Sequence, residues 1–132
     1  MDEAVYVRVH GERYALPVGA VREVETRGDL TPVPGAPAAI VGIRNLRGSI
    51  LPVVELAGAL GLGDGQGATI VVTEAGGLAA GLAVDEVIGV EPLPDAVEPA
   101  DDPALLGRAL VGDEQVGVID APALLRSVAE AA

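Results

Sequence analysis

Gly42-Ile43-Arg44-Asn45-Leu46-Arg47-Gly48-Ser49-Ile50-Leu51-Pro52-Val53-Val54-Glu55-Leu56 reads as a polar turn running straight into an apolar strand. Asn and Gly tolerate the positive φ of tight turns, so Asn45–Gly48 suits a hairpin. Ile50–Val54 is rich in β-branched residues, as strands are, and it ends at Glu55. Such a turn carries Arg47 on a rigid support. The expectation is a recognition turn in a protein that binds other proteins and catalyses nothing.

Composition narrows the alternatives. The chain has 132 residues, enough for one compact unit or two very small ones. Half of it is hydrophobic, yet it contains no Phe, Trp or Cys. Its core must therefore be aliphatic, which suits small sheets and barrels. Net charge is −12 and every basic residue is Arg. A chain this acidic is repelled by phosphate backbones, and two Tyr make a poor stacking surface, so nucleic-acid binding is not expected. Without Cys there is no disulfide, thiolate metal site or thiol nucleophile. Asp2 and Glu3 do not resemble the start of a signal peptide, and runs such as Leu78–Val84 are too short to span a bilayer. These features point to a soluble cytoplasmic protein with no membrane insertion.

The chain repeats itself. An offset of 66 sets Val5 on Val71, Leu16 on Leu82, Val18 on Val84, Val21 on Val87 and Val24 on Val90. After one deletion the offset is 65, and Gly42 meets Gly107 while Leu51, Val53, Val54 and Glu55 meet Val116, Val118, Ile119 and Asp120. Each half reads as about five short strands. The expected fold is mainly all-β: two SH3-like five-stranded β-barrels related by pseudo-twofold symmetry, with a short C-terminal helix. The boundaries read as about 4–62 and 68–120 for the subdomains and about 121–131 for the helix, with strand exchange between the barrels left open. Asp120 suits a helix cap with Pro122 in the first turn, and Leu124, Leu125 and Val128 form one apolar face over a barrel end. The proline-bearing acidic stretch Glu91–Asp102 reads as a solvated loop. The groove between two such barrels is a natural binding surface.

The sequence carries no recognisable catalytic constellation. His10 is a lone histidine beside a turn, and Ser49 and Ser127 sit in no nucleophile elbow. Asp85-Glu86 and Asp101-Asp102 are adjacent, so in extended chain they point to opposite faces. Gly63–Ala68 fits a loose G-x-G-x-x-A but precedes a strand, so it lacks the helix N-terminus that cradles phosphate. No catalytic, cofactor-binding or metal-ligating residue is assigned.

Tyr14–Val18, Val21–Val24, Gly42–Leu56 and Gly81–Val87 together resemble the CheW family of chemotaxis adaptors across nearly the whole chain. The N-L-R-G-x-I-L-P-V-V-[DE]-L run carries the resemblance, with Glu55 where Asp is more usual. The resemblance implies two SH3-like barrels and a non-enzymatic role coupling chemoreceptors to the histidine kinase CheA. The implied partners are the CheA regulatory domain and the receptor cytoplasmic tip, with CheW-like self-association in rings a further one. The implied location is cytoplasmic, at membrane-associated receptor arrays. Val18, Val21, Gly42 and Ile70 would line the groove, and Glu23, Leu46 and Arg47 would also meet partners. Each has a plainer reading: Val18, Val21 and Ile70 as core, Gly42 as a turn residue, Glu23–Arg47 as an ion pair bracing the barrel. The alternatives are a CheW-like module of another receptor–kinase pathway, in motility or second-messenger signalling, and a barrel that binds a small ligand. A ligand-binding barrel would show a closed pocket with converging polar groups.

Overall fold

A computed structural model describes residues 2–65, 67–94 and 97–131. Gln66 of the glycine-rich connector and Asp95 and Ala96 of the acidic loop lie outside the described residues. In chain order the elements are β1 (Glu3–Val9), β2 (Glu12–Pro17), a 3₁₀ turn (Val18–Ala20), β3 (Val21–Thr26), β4 (Ile40–Leu46) and β5 (Ser49–Glu55). A single-turn α1 (Leu56–Ala59) follows, then β6 (Thr69–Ala75), β7 (Leu78–Val84), β8 (Glu86–Pro92), β9 (Leu105–Val111), β10 (Glu114–Ile119) and α2 (Ala121–Ala131).

The strands form two five-stranded sheets. Barrel I has the order β3-β6-β7-β5-β4 and barrel II the order β8-β1-β2-β10-β9. Their edges are drawn together by short backbone bridges just beyond the first edge strand. In barrel I, Thr31 and Ile43 exchange N–H···O bonds of 3.0 and 2.8 Å. In barrel II, Glu98 and Arg108 do the same at 2.7 Å. Part of the acidic loop is thus a closing bridge, a role its composition did not suggest.

The repeat governs the backbone. The Val5–Leu16 pair of β1–β2 recurs as Val71–Leu82 in β6–β7. The parallel pair Val53–Gly81 recurs as Val118–Ala15. The bulge between Val21 and Glu23 recurs where β8 meets β1. The sheets, however, are not the two sequence halves. Barrel I takes β6–β7 from the second half as its centre, and barrel II takes β1–β2 from the first. The break near residues 62–68 divides the sequence repeat and not the sheets. The chain crosses between barrels at Val18–Ala20 and again at Asp85.

Period-two alternation then sorts the side chains into three cores. Leu51, Val53, Ile70, Val72 and Ala83 fill barrel I. Ala4, Tyr6, Ala15 and Val116 fill barrel II. The opposite faces of the same strands, including Val7, Leu16, Val54, Val71, Leu82 and Ile119, form the largest core, which joins the barrels. α2 belongs to this core. Its N-terminus is capped as expected, the Ala123 N–H donating to Asp120 Oδ1 at 3.1 Å. It leaves barrel II but packs on β6 and β7 of barrel I, burying Leu124 and Leu125.

Glu55 ends β5 and is buried, an expensive place for a carboxylate unless it is paired. It accepts Arg27 Nη1 at 3.1 Å and the Gly67 N–H at 3.2 Å. Arg27 Nη1 also donates to the Gly67 carbonyl at 3.0 Å. This cluster pins the connector between the halves. His10 Nε2 donates to the Asp64 carbonyl, which gives the lone histidine a structural place.

Candidate partner-binding surface

The turn between β4 and β5 is tighter than its sequence suggests. Arg47 and Gly48 both have positive φ, 51° and 85°, the signature of a type I′ hairpin. The left-handed non-glycine residue is Arg47, not Asn45. Asn45 instead holds the turn with its side chain, Oδ1 accepting the Gly48 N–H at 3.0 Å. Left-handed backbone disfavours a residue with a Cβ, so the turn alone gives no reason for Arg at this position.

Arg47 reaches β3. Its Nη1 and Nη2 donate to Glu23 Oε2 and Oε1 at 2.7 and 3.1 Å, a parallel two-bond fork. The Arg47 side chain remains 72% exposed. The Arg47 hydrogen bond, and then hydrogen bonding with Glu25, hold the Glu23 carboxyl below its ordinary value. Glu23 in turn raises the Arg47 guanidinium. At neutral pH the fork is fully charged, with most of the Arg47 side chain open to solvent.

A second pair lies beside it. Arg44 Nη1 donates to Glu25 Oε1 at 2.7 Å and to the Thr26 carbonyl at 3.1 Å. Sequence reading missed both partners. The bulge at Val21/Glu23 leaves Val24 48% exposed and puts Glu23 and Glu25 on the half-buried side. Ile50 was also missed. It lies two residues past Gly48 and is 70% exposed, since Leu51 and Val53 take the inward positions. The inward run of alternate residues was the available signal.

The other expected site residues fall into two groups. Val18 lies in the 3₁₀ turn where the chain crosses between barrels and is 43% exposed. Val21 follows it, half-buried against the joining core. Leu46 is half-buried and packs onto the barrel I core. Ile70 is fully buried inside barrel I, so it supports the surface from beneath without touching it. Gly42 is buried where the chain before β4 crosses closely. A Cβ there would stand 2.9 Å from Leu30 Cβ and 3.0 Å from the Thr31 carbonyl. It is needed for that close approach and not for a turn.

An apolar hollow of about 620 Å³ is lined by Val33, Pro34, Gly35, Ala36, Pro37, Ile40, Ile43 and Pro52. No charged side chain enters its lining, whereas other open hollows include Arg27 in one and Glu55 with Asp64 in another. Among the described residues no three His, Asp or Glu side chains are grouped to hold a metal ion. No described helix is long and apolar enough to cross a membrane.

Comparison with known proteins matches residues 3–129 to the CheW-like domain. A chemotaxis protein CheW of Rhizobium meliloti is 32% identical over 104 residues, covering 76% of this chain and 67% of that protein. Protein FrzA of Myxococcus xanthus is 33% identical over 119 residues, covering 86% of this chain and 71% of FrzA. The crystal structure of the scaffolding protein TtCheW from Thermoanaerobacter tengcongensis superposes with a TM-score of 0.82 at 32% identity, covering 90% of this chain and 84% of that one.

Proposed function

The chain belongs to the CheW-like domain family, and from that premise we propose that it is a non-enzymatic cytoplasmic scaffold coupling chemoreceptors to the histidine kinase CheA. The observation that carries this reading is the Arg47–Glu23 fork. The residue at the tip of the family's turn motif is charged, mostly exposed and fixed in direction by two hydrogen bonds. A planar guanidinium held in this way presents directed donors to a partner, which a mobile lysine would not. In this reading Arg47, Glu23 and Leu46 meet the kinase regulatory domain or the receptor tip. Val18 and Val21 contribute the apolar border where the barrels meet, and Gly42 and Ile70 keep the surface in shape. The mechanism is geometric. Holding both partners at once fixes the kinase relative to the receptor, so a receptor shift biases kinase activity.

Titration of the purified protein with a CheA regulatory domain and with a receptor cytoplasmic tip tests the reading. Arg47→Ala is expected to weaken at least one of these interactions while the melting temperature stays within a few degrees. Absence of both interactions for the unmodified protein at micromolar concentration would overturn it. A second reading, a CheW-like module of another receptor–kinase pathway, draws support from the likeness to FrzA. It predicts binding to a CheA-like kinase other than the one encoded for chemotaxis.

A further inference from the structure

β3 and β4 are the two edges of the barrel I sheet. Near their seam the backbone bridge is Thr31–Ile43, where the segment after β3 pairs with β4. Higher on the same seam two ion pairs join them, Glu25–Arg44 and Glu23–Arg47. We propose that Arg44 is a positioning residue for Arg47: by occupying Glu25 it leaves Glu23 as the acceptor that aims the Arg47 guanidinium at the partner. This rests on the reading of Arg47 as a partner contact.

Glu23 and Glu25 stand two apart on one strand and share a face. Both carboxylates act on Arg47, Glu23 by hydrogen bonding and Glu25 through space. A flexible arginine in an exposed turn therefore has two acceptors within its field. Arg44 removes one of them. It is only 15% exposed, it is tied to Glu25 and to the Thr26 carbonyl, and its guanidinium lies close over Gly28, where a Cβ would come within 3.1 Å of Nη2. An arginine with two hydrogen bonds and so little exposure does not wander, so Glu25 stays committed.

Closing the barrel does not require these pairs. At the matching positions barrel II has Gly89 and Glu91 on β8, Ala109 on β9 and Gly112 in the turn. Glu91 there pairs with Arg13 of β2 at 3.6 Å, within the sheet and not across its seam. Barrel II still closes, through Glu98 and Arg108. The double pair in barrel I therefore serves something other than closure.

The test uses the whole 132-residue chain. Arg44→Gln frees Glu25 to compete for Arg47, and the dissociation constant for the kinase regulatory domain or receptor tip should rise by about fivefold. Arg44→Lys, which keeps the charge, should recover most of the loss. The double variant Glu25→Gln/Arg44→Gln removes the competitor as well and should restore affinity, which loss of mere support would not do. The Arg47 Nε–Hε resonance should shift in Arg44→Gln and return in the double variant. Unchanged affinity in Arg44→Gln, or no recovery in the double variant, overturns the proposal. If Arg47→Ala itself leaves both affinities intact, the partner-contact reading falls. The Arg47 resonance then decides alone whether Arg44 sets its acceptor.

Discussion

Barrels I and II have the same strand pairings, the same bulges and the same closing bridge, and the joining core keeps pairs such as Val5/Val71 and Leu16/Leu82, yet the barrel interiors and the hairpin turns differ. Inside barrel I the repeat positions are Ile70, Val72 and Gly81, and inside barrel II they are Ala4, Tyr6 and Ala15. The volumes are redistributed: a large ring at one position is matched by smaller groups beside it, as close packing requires. Barrel II also carries Arg13 4.8 Å over the Tyr6 ring, where barrel I has Ala79. On the surface the difference is sharper. The barrel I hairpin bears Arg47 in left-handed backbone, while barrel II has Gly112 at φ 62°, the residue such a position favours. Barrel II exposes Leu106 and Leu110 on its edge strand, where barrel I has Val41 and Asn45. Backbone pairing tolerates this divergence because ladder hydrogen bonds do not depend on side-chain identity. Barrel I places an ion-paired arginine at this hairpin position. Barrel II places there the residue that left-handed backbone favours.

The largest effect should come from separating what the two barrels share. With a protease site inserted beside Asp64, the cut protein should still elute as a 1:1 complex, because each barrel has its central hairpin from the other half. Separated in denaturant and refolded alone, neither half should unfold cooperatively, and mixing should restore the transition. A half that folds by itself would break the comparison at its root.

Next come the paired glycines of β4 and β9. A Cβ on Gly107 would lie 2.2 Å from the Glu98 carbonyl oxygen, whereas on Gly42 the nearest atom is a side-chain carbon at 2.9 Å. Neither neighbour can yield, since the Leu30 Cβ is fixed by its own backbone and the Thr31 carbonyl also lies 3.0 Å from the Gly42 site, so the shorter gap decides. Gly107→Ala should cost about 3 kcal/mol and Gly42→Ala about half that, read by denaturant unfolding. Equal losses would mean that the two bridges are equally tight.

The turns should then separate stability from binding. Arg47→Gly relieves left-handed backbone and loses an exposed ion pair, so the melting temperature should move by no more than about 2 °C. Binding to the partner should fall. Gly112→Ala, at the matching position, should lower the melting temperature and leave binding unchanged. A reversed pattern would place recognition in barrel II.

The smallest effect concerns acid. Glu23 is held low by Arg47 in barrel I, and Glu114 by Arg8 in barrel II. For a carboxylate whose folded pKa lies below its unfolded one, the stabilisation is complete above the unfolded value of about 4.3 and fades as pH falls through the folded value. Stability should therefore be flat in these pairs from pH 7 to 5. Glu23→Gln and Glu114→Gln should each flatten the decline below that. A change near neutral pH would point to another group.

Local sequence determined a good deal here. Hairpin spacing, the repeat, the capped terminal helix and the prominence of Arg47 follow from turn chemistry and period-two alternation, which act over a few residues. Tertiary structure decided the rest. Alternation assigns a residue to a face but names no partner strand. The parallel pairings of β2 with β10 and β5 with β7, which build each barrel from both halves, depend on burial shared across distant segments. For the same reason only the folded chain shows that Ile70 is core and Val18 is surface, although both are apolar and β-branched. One bulge was enough to turn Val24 outward and bring Glu23 and Glu25 to the seam, because a one-residue slip moves every later side chain of a strand to the other face.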